Sequence, residues 1–258
     1  MEMFFKSYQT ESCCLCGSSG SLTGEHKIKA SALRKIFGSN AMVIGNFDDG
    51  DILRTAQGPK SKAFHFSVRM CSLCNGSRTQ PADQEFDLFH TLVSSLLSRG
   101  RDPSEVFNMP KYILGSEAYL NVFRYFSKIL CCQIAEAGGP RPLETCEVAI
   151  GKTSRNIIFL HIDVDPIYQN YRDTYGEHGF ASHGGLIVPF DSKTHNPTCF
   201  QSSLSLGTVR YLFWVRFDAL VGAELRAFHH QFWLKCEAAY QEAIKNPLSD
   251  EQRYRLGI

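Results

Sequence analysis

Apolar residues recur at helical intervals in several parts of the chain. From Asp83 they fall every three or four positions until Gly100, and the same spacing runs through residues 116–137 before a pair of glycines interrupts it. A shorter helix is predicted over residues 30–37 and a final one over residues 219–243. These segments predict that much of the chain is helical.

Alternating polar and apolar residues predict strands between the helices. The clearest case is residues 208–217, where apolar and arginine side chains fall on opposite faces. Strands are also predicted over residues 63–70, 157–164 and 185–190, and residues 45–58 are predicted to form an acidic loop. The chain is therefore expected to be an α+β protein.

Length and composition favour a soluble globular protein. The chain has 258 residues, enough for one large domain or two modest ones, and 43% hydrophobic with 21% charged residues is ordinary for this class. No apolar stretch approaches the ~18 residues needed to cross a bilayer, and the first residues lack an export signal. We therefore expect no membrane contact and a cytoplasmic location.

Positive charge is concentrated in one segment. The net charge of the whole chain is only +1, but residues 26–80 hold nine Lys or Arg against three Asp. Such a segment is suited to phosphate, although it could also be an ordinary solvated face. Within it, Lys27, Lys29 and Arg78 are the candidate nucleic-acid contacts.

Ten cysteines include two pairs with the spacing of metal ligands. Cys13 and Cys16 form one CxxC pair, and Cys71 and Cys74 form the other. Four such thiolates can close a tetrahedral zinc site that leaves no open position and is therefore structural. Two unrelated pairs remain an alternative, and Cys14 could replace Cys13 only with a different spacing. The remaining cysteines are expected to be small buried hydrophobes.

Residues beside the two cysteine pairs could carry chemistry. Glu25 and His26 follow the first pair, Asn75 directly follows Cys74, and Asp83 lies eight residues further on. A neutral imidazole can accept a proton from water, and carboxylate and amide oxygens are the ligands that Mg²⁺ or Mn²⁺ prefers. His65 and His90 are expected to be a strand residue and a packed helix residue.

The runs CCLCGSSGSLTGEHKIKASALRKIFG and MCSLCNGSRTQPADQEFDLF resemble the HNH endonucleases of the ββα-metal type that carry a CxxC…CxxC zinc site. The resemblance covers about residues 10–95. It implies a zinc-stapled ββα-metal module over residues 1–100, followed by a mixed α+β accessory region of unassigned role over residues 101–258. The gap between His26 and Cys71 is longer than expected and implies an insertion between the two strands of the finger.

The resemblance also implies a role for each candidate. His26 would be the general base that activates water, Glu25 a ligand of the catalytic cation, and Asn75 an orienting or ligating residue. Cys13, Cys16, Cys71 and Cys74 would be the structural zinc ligands. Asp83 stands where the family has its third motif residue, commonly histidine, which leaves the last ligand of the cation open.

The expected function is metal-dependent cleavage of phosphodiester bonds in nucleic acid, with DNA favoured. A restriction or phage-defence role follows only from association with the family. A non-catalytic zinc module that binds nucleic acid, a zinc-stabilised protein-interaction protein and a thiol-redox enzyme are the alternatives. A homodimer or a protein activator is left open as a further partner.

Overall fold

The structure is a computed structural model that describes residues 3–38, 42–44, 54–56, 58–59, 61–175 and 180–250. It contains both helices and antiparallel sheets, which confirms the predicted α+β class. The strands are β1 Phe5–Lys6, β2 Leu22–His26, β3 Met42–Ile44, β4 Arg54–Ala56, β5 His65–Cys71, β6 Arg141–Pro142, β7 Ile158–Val164, β8 Ala181–His183, β9 Cys199–Leu206 and β10 Val209–Arg216. The helices are α1 Ala30–Phe37, α2 Gln80–Ser98, α3 Glu117–Glu136, α4 Leu143–Ala149, α5 Pro166–Tyr175, α6 Ala219–Phe228 and α7 His230–Lys245.

Two antiparallel strands and a helix form the part of the fold that contains the motif residues. Strand β2 pairs with β5, and a π-helical turn over Cys74–Arg78 leads from β5 into α2. The segment between the two strands contains α1 and the β3–β4 pair. Of the predicted acidic loop, residues 54–56 form β4, and residues 45–53 lie outside the described part of the chain.

Helix α3 lies in the interior and contacts several layers of the fold. Ser116 caps its first turn by accepting a hydrogen bond from the Tyr119 amide, as the predicted start requires. Its residues are buried on nearly all sides, and it packs against α2, α4 and β5. A helix that is apolar all round is expected in such a position, but α3 also buries one lysine, Lys128.

The larger sheet has the strand order β7–β10–β9–β8, and every pair is antiparallel. The alternation predicted for β10 is confirmed, because Tyr211 and Phe213 are buried whereas Arg216 is exposed. The Tyr211 ring packs against Phe126, and its hydroxyl shares a hydrogen bond of 2.9 Å with Nδ1 of His90. His90 is thus a packed residue, as predicted.

Two predicted elements differ from the structure. Residues 185–190 form no strand, only isolated bridges at Ile187 and Phe190. The single helix predicted over residues 219–243 is two helices that break at His229, where the backbone leaves helical geometry at φ −126° and ψ 43°. The apolar period continues across this break, so periodicity alone could not reveal it.

Packing continues across the predicted boundary at residue 100. Phe5 lies in edge contact with Phe200 and Phe217, and β1 pairs with β6. One connected cluster of buried apolar residues includes members from both predicted regions. The division into residues 1–100 and 101–258 stays a prediction. No helix in the described ranges has the length and apolar character needed to cross a membrane.

Candidate metal centre and adjoining cavity

The two CxxC pairs meet at one point. The sulfur atoms of Cys13, Cys16, Cys71 and Cys74 all lie within 4.8 Å of one another. Pairing of β2 with β5 positions them, because it brings the loop before β2 against the end of β5, where Cys71 is the last strand residue. The Cys14 amide donates a hydrogen bond of 3.1 Å to the Arg69 carbonyl, which fixes this loop against β5.

Gly17 allows the chain to turn tightly after the first pair. Its φ of +76° is costly for other residues, and its amide donates to the Cys13 carbonyl at 2.8 Å. A Cβ atom at this position would lie 2.6 Å from the guanidinium group of Arg141, which itself donates to the Leu15 carbonyl. The turn therefore favours glycine here, and a larger residue would in addition displace the end of the Arg141 side chain.

The four sulfurs are too close to be thiolates without a compensating cation. The sulfurs of Cys16 and Cys71 are 3.6 Å apart. A hydrogen bond from Cys74 lowers the pKa of Cys13 to about 4, and the same contact raises the pKa of Cys74. A divalent ion replaces shared protons in such a cluster, so these cysteines could hold a metal ion, and the donor set is compatible with structural zinc.

Cys14 lies outside the cluster although it neighbours Cys13 in sequence. Its sulfur is 3.6 Å from that of Cys132, on α3. Cys131 likewise contacts Cys146 at 3.7 Å. Of the cysteines predicted to be buried, Cys131, Cys132, Cys146 and Cys236 are buried, whereas Cys199 is only partly so.

A cavity of about 320 Å³ lies beside the cluster and contains the other predicted site residues. Glu25 and His26 from β2, Asn75 from the π-helical turn and Asp83 from α2 all line it. The remaining lining residues come from α1 and its start and from α3: Lys29, Ala30, Ser31, Arg34 and Tyr125. The four residues predicted to converge therefore line a single cavity, and Asn75 directly follows the metal-ligand candidate Cys74.

An irregularity in the strand pairing lets two consecutive residues face the same cavity. Neighbouring strand residues normally point to opposite faces of a sheet. Here the register between β2 and β5 shifts between Gly24, opposite Arg69, and His26, opposite His65. Such a bulge re-aims side chains, and it accounts for Glu25 and His26 both reaching the cavity.

His26 is held in the uncharged form. Its ring packs on that of His65 with centroids 3.8 Å apart, and its buried Nε2 has no hydrogen-bond partner among the residues that the structure describes. Burial lowers the pKa of His26 to about 4, with smaller contributions from His65, Lys128 and Arg34. A neutral ring with an unused nitrogen is able to accept a proton.

Asn75 ties the helical turn to the strand that carries His26. Its side-chain amide donates to the Thr23 hydroxyl at 2.8 Å and to the Gly24 carbonyl at 2.9 Å. These bonds fix β2 immediately before Glu25. The orienting role implied for Asn75 is therefore compatible with its contacts, and its amide oxygen is the atom that could ligate a cation.

Glu25 and Asp83 share a buried lysine. The Lys128 ammonium lies 2.7 Å from one Glu25 oxygen and 2.5 Å from one Asp83 oxygen. Burial raises the pKa of Glu25, and Lys128 offsets this only in part. Burial alone would lower the pKa of Lys128, but the two carboxylates outweigh it and raise that pKa. The cation that these carboxylates contact in this structure is an ammonium group.

Of the three predicted nucleic-acid contacts, Lys29 lines the cavity and Lys27 and Arg78 do not. Lys29 lines the cavity but pairs with Asp87 at 2.5 Å. Lys27 instead pairs with Glu136 at 2.8 Å, and the Arg78 guanidinium donates to the Cys74 sulfur at 3.5 Å. Their contact with nucleic acid stays a prediction.

Sequence reasoning missed Arg34, Tyr125 and Lys128. Arg34 follows Ala30 by four residues on α1, so helical spacing could have placed both on the face that meets the cavity. Lys128 is one of two basic residues, with Arg124, inside a largely apolar helical run, and a lysine buried in such a run needs a charged partner. Comparison with protein-family models, with curated proteins and with solved structures found no match to this chain.

Proposed function

We propose that this protein is an endonuclease of the HNH type that hydrolyses phosphodiester bonds in nucleic acid, with DNA as the favoured substrate. The observation that supports the proposal is the convergence of Glu25, His26, Asn75 and Asp83 on one cavity beside the four-cysteine cluster. Glu25 and His26 come from β2, Asn75 from the π-helical turn that follows β5, and Asp83 from α2, so they lie along the ββα order that the resemblance implies, with α1 and the β3–β4 pair inserted between β2 and β5. A restriction or phage-defence role would be one setting for this activity.

In this proposal each residue has a separate task. His26 accepts the proton of the attacking water, since its ring is neutral and lines the cavity. Asn75 keeps β2 in position through Thr23 and Gly24. Arg34, which is exposed and lines the cavity, contacts a phosphate next to the scissile bond. Zinc at the cysteine cluster holds β5 and the loop before β2 together.

The donor set of the cavity fits a hard divalent cation such as Mg²⁺ or Mn²⁺. Glu25 and Asp83 offer carboxylate oxygens and Asn75 an amide oxygen, all of the type that these ions prefer. Lys128 occupies one oxygen of each carboxylate, so the other oxygens would serve as ligands. A bound cation supplies Lewis-acid stabilisation of the charge that develops on the phosphate.

A cleavage assay tests the proposal directly. Wild type and His26→Ala are incubated with plasmid and with single-stranded DNA, in Mg²⁺, in Mn²⁺ or in EDTA. His161→Ala, which changes an exposed histidine on β7, is the matched control. We expect metal-dependent cutting by wild type and by the control, and a loss of at least about a hundredfold in the folded, zinc-loaded His26→Ala protein. Cutting that His26→Ala retains would contradict the mechanism.

A second candidate function is a zinc-dependent module that binds nucleic acid without cutting it. The pairing of Glu25 and Asp83 with Lys128 favours it, because a purely structural ion-pair network needs no catalytic cation. This module would bind DNA with a steep dependence on salt and would cut under none of the metal conditions. A protein-interaction role would show no affinity for DNA even at low salt.

A further inference from the structure

Lys128 contributes a charge to the candidate site from a helix outside the predicted nuclease module. Its side chain is only 1% exposed, and its ammonium group reaches Glu25 and Asp83 from α3. The ammonium also lies 5.3 Å from the centre of the Tyr125 ring, which lines the cavity. Lysine is seldom buried so fully unless its charge is paired, as it is here.

The position of the lysine relative to the cavity is informative. Glu25 and Asp83 line the cavity, whereas Lys128 does not line it and is almost wholly buried. It therefore cannot touch a substrate in this arrangement. Its effect on anything bound in the cavity must pass through the two carboxylates.

The charges of Glu25, Asp83 and Lys128 together attract a cation less strongly than the two carboxylates alone would. Two carboxylates carry two negative charges, and the ammonium cancels one of them while using one oxygen of each. A divalent ion at the free oxygens would also be repelled by the ammonium at short range in a poorly solvated site. At the same time, the lysine prevents the two carboxylates from repelling each other and fixes where their free oxygens point.

We propose that Lys128 is a positioning residue that sets the affinity of the Glu25–Asp83 pair for a divalent cation. It acts as an internal cation that preserves the ligand geometry but weakens binding of the external ion. This inference rests on the proposed function, because it concerns the cation of that site. It makes the helix α3, which belongs to the predicted accessory region, a part of the candidate site.

The test measures binding of Mn²⁺ rather than activity. Zinc-loaded wild type, Lys128→Met and Lys111→Met are titrated with Mn²⁺, and the free ion is followed by its electron paramagnetic resonance signal. Lys111→Met is the matched control, because it also removes a positive charge that pairs with a carboxylate of α2, but this carboxylate, Glu85, does not line the cavity. We expect Lys128→Met to bind Mn²⁺ at least about tenfold more tightly than wild type and the control to bind within about twofold of it.

If Lys128 only maintains the structure of the site, Lys128→Met should bind Mn²⁺ more weakly than wild type, not more tightly. Loss of ligand geometry would weaken Mn²⁺ binding in Lys128→Met, and unchanged binding would show that the lysine does not influence the cation. Either result overturns the inference about Lys128 while leaving the proposed function in place. If Lys128→Met does not fold, Lys128→Gln replaces it, since its amide can still donate to the carboxylates without carrying charge.

The remaining outcomes separate the two proposals. Binding by Lys128→Met but not by wild type supports the role of Lys128 and contradicts a metal-dependent site in the unmodified protein. Absence of binding in both contradicts both. Glu25→Gln combined with Lys128→Met removes one ligand charge, and we expect it to lose the gain in affinity that Lys128→Met produces. Zinc content and circular dichroism confirm that each variant is folded.

Discussion

The ammonium group of Lys128 lies 2.7 Å from a carboxylate oxygen of Glu25, although the two residues are 103 positions apart in the sequence. Asp83 completes the group at 2.5 Å from the same nitrogen. One charged residue from each of β2, α2 and α3 thus meets at a single buried point. The predicted nuclease module and the predicted accessory region share this ion-pair network.

The network predicts a strong and non-additive effect on stability. Lys128→Met leaves two carboxylates in a poorly solvated place without their partner, so we expect a loss of about 3–5 kcal/mol in the free energy of unfolding. Adding Glu25→Gln and Asp83→Asn should recover a large part of that loss, because the neutral triple variant buries no unpaired charge. Urea denaturation of the three proteins measures this, and equal stability of the single and triple variants would contradict the pairing.

The cysteine cluster predicts which thiol variants lose metal. We expect about one zinc ion per chain in the wild type and none in Cys74→Ala, because removal of one thiolate opens a tetrahedral site. Cys14→Ala is the matched control, since Cys14 is buried beside Cys13 but contacts Cys132. It should be less stable yet keep its zinc. Zinc released after thiol oxidation is measured with a colorimetric indicator, and zinc loss in Cys14→Ala would show that the ligand set is wrong.

Much of the local structure could be predicted because its signals are local. The apolar period, a capping residue at Ser116 and the glycines after residue 137 define α3 almost to its ends. The alternation in β10 was equally clear. Strand β9 was not predicted, because Ser202 and Ser205 occupy buried positions and hide the apolar pattern.

The candidate site, too, could be predicted from the sequence only in part. Glu25, His26, Asn75 and Asp83 could be assigned from their spacing to the cysteine pairs, and the structure places them in one cavity. Lys128 could not, because its contacts depend on how α3 packs against β2 and α2 rather than on any neighbouring motif. Long-range packing of this kind leaves no regular spacing in the sequence.

Adjacent basic residues on α1 predict different effects on nucleic-acid binding. Arg34 lines the cavity, whereas Lys35 points towards the Thr91 hydroxyl at 3.3 Å. In a His26→Ala background, which prevents cutting, we expect Arg34→Ala to weaken oligonucleotide binding about tenfold at low salt and to reduce the salt slope by about one. Lys35→Ala should change the affinity by no more than about twofold. Fluorescence anisotropy measures both, and equal effects would show that only the overall charge of α1 matters.

Glu224 predicts how the stability of the fold depends on pH. The carboxylate, on α6, accepts hydrogen bonds from the amides of Met3, Phe4 and Phe5 at 2.8–3.0 Å and so holds the start of β1. Burial raises the pKa of Glu224, but these amides outweigh it, and the pKa lies below its ordinary value of 4.5. A lowered pKa in the folded state stabilises the protein above the unfolded value, and that stability disappears as the pH falls through the folded value.

Glu224→Gln should therefore destabilise the protein at neutral pH by about 2–3 kcal/mol, because a neutral amide replaces a charged acceptor and its NH₂ group opposes the backbone donors. The difference from wild type should shrink at about pH 3, where the wild-type carboxyl is itself becoming protonated. Glu237→Gln, which removes only a 3.7 Å contact with His195, should stay within about 0.5 kcal/mol of wild type at both values. Urea unfolding at the two pH values measures all three proteins. A Glu224→Gln difference that is the same at both would mean that the Glu224 charge does not hold β1 in place.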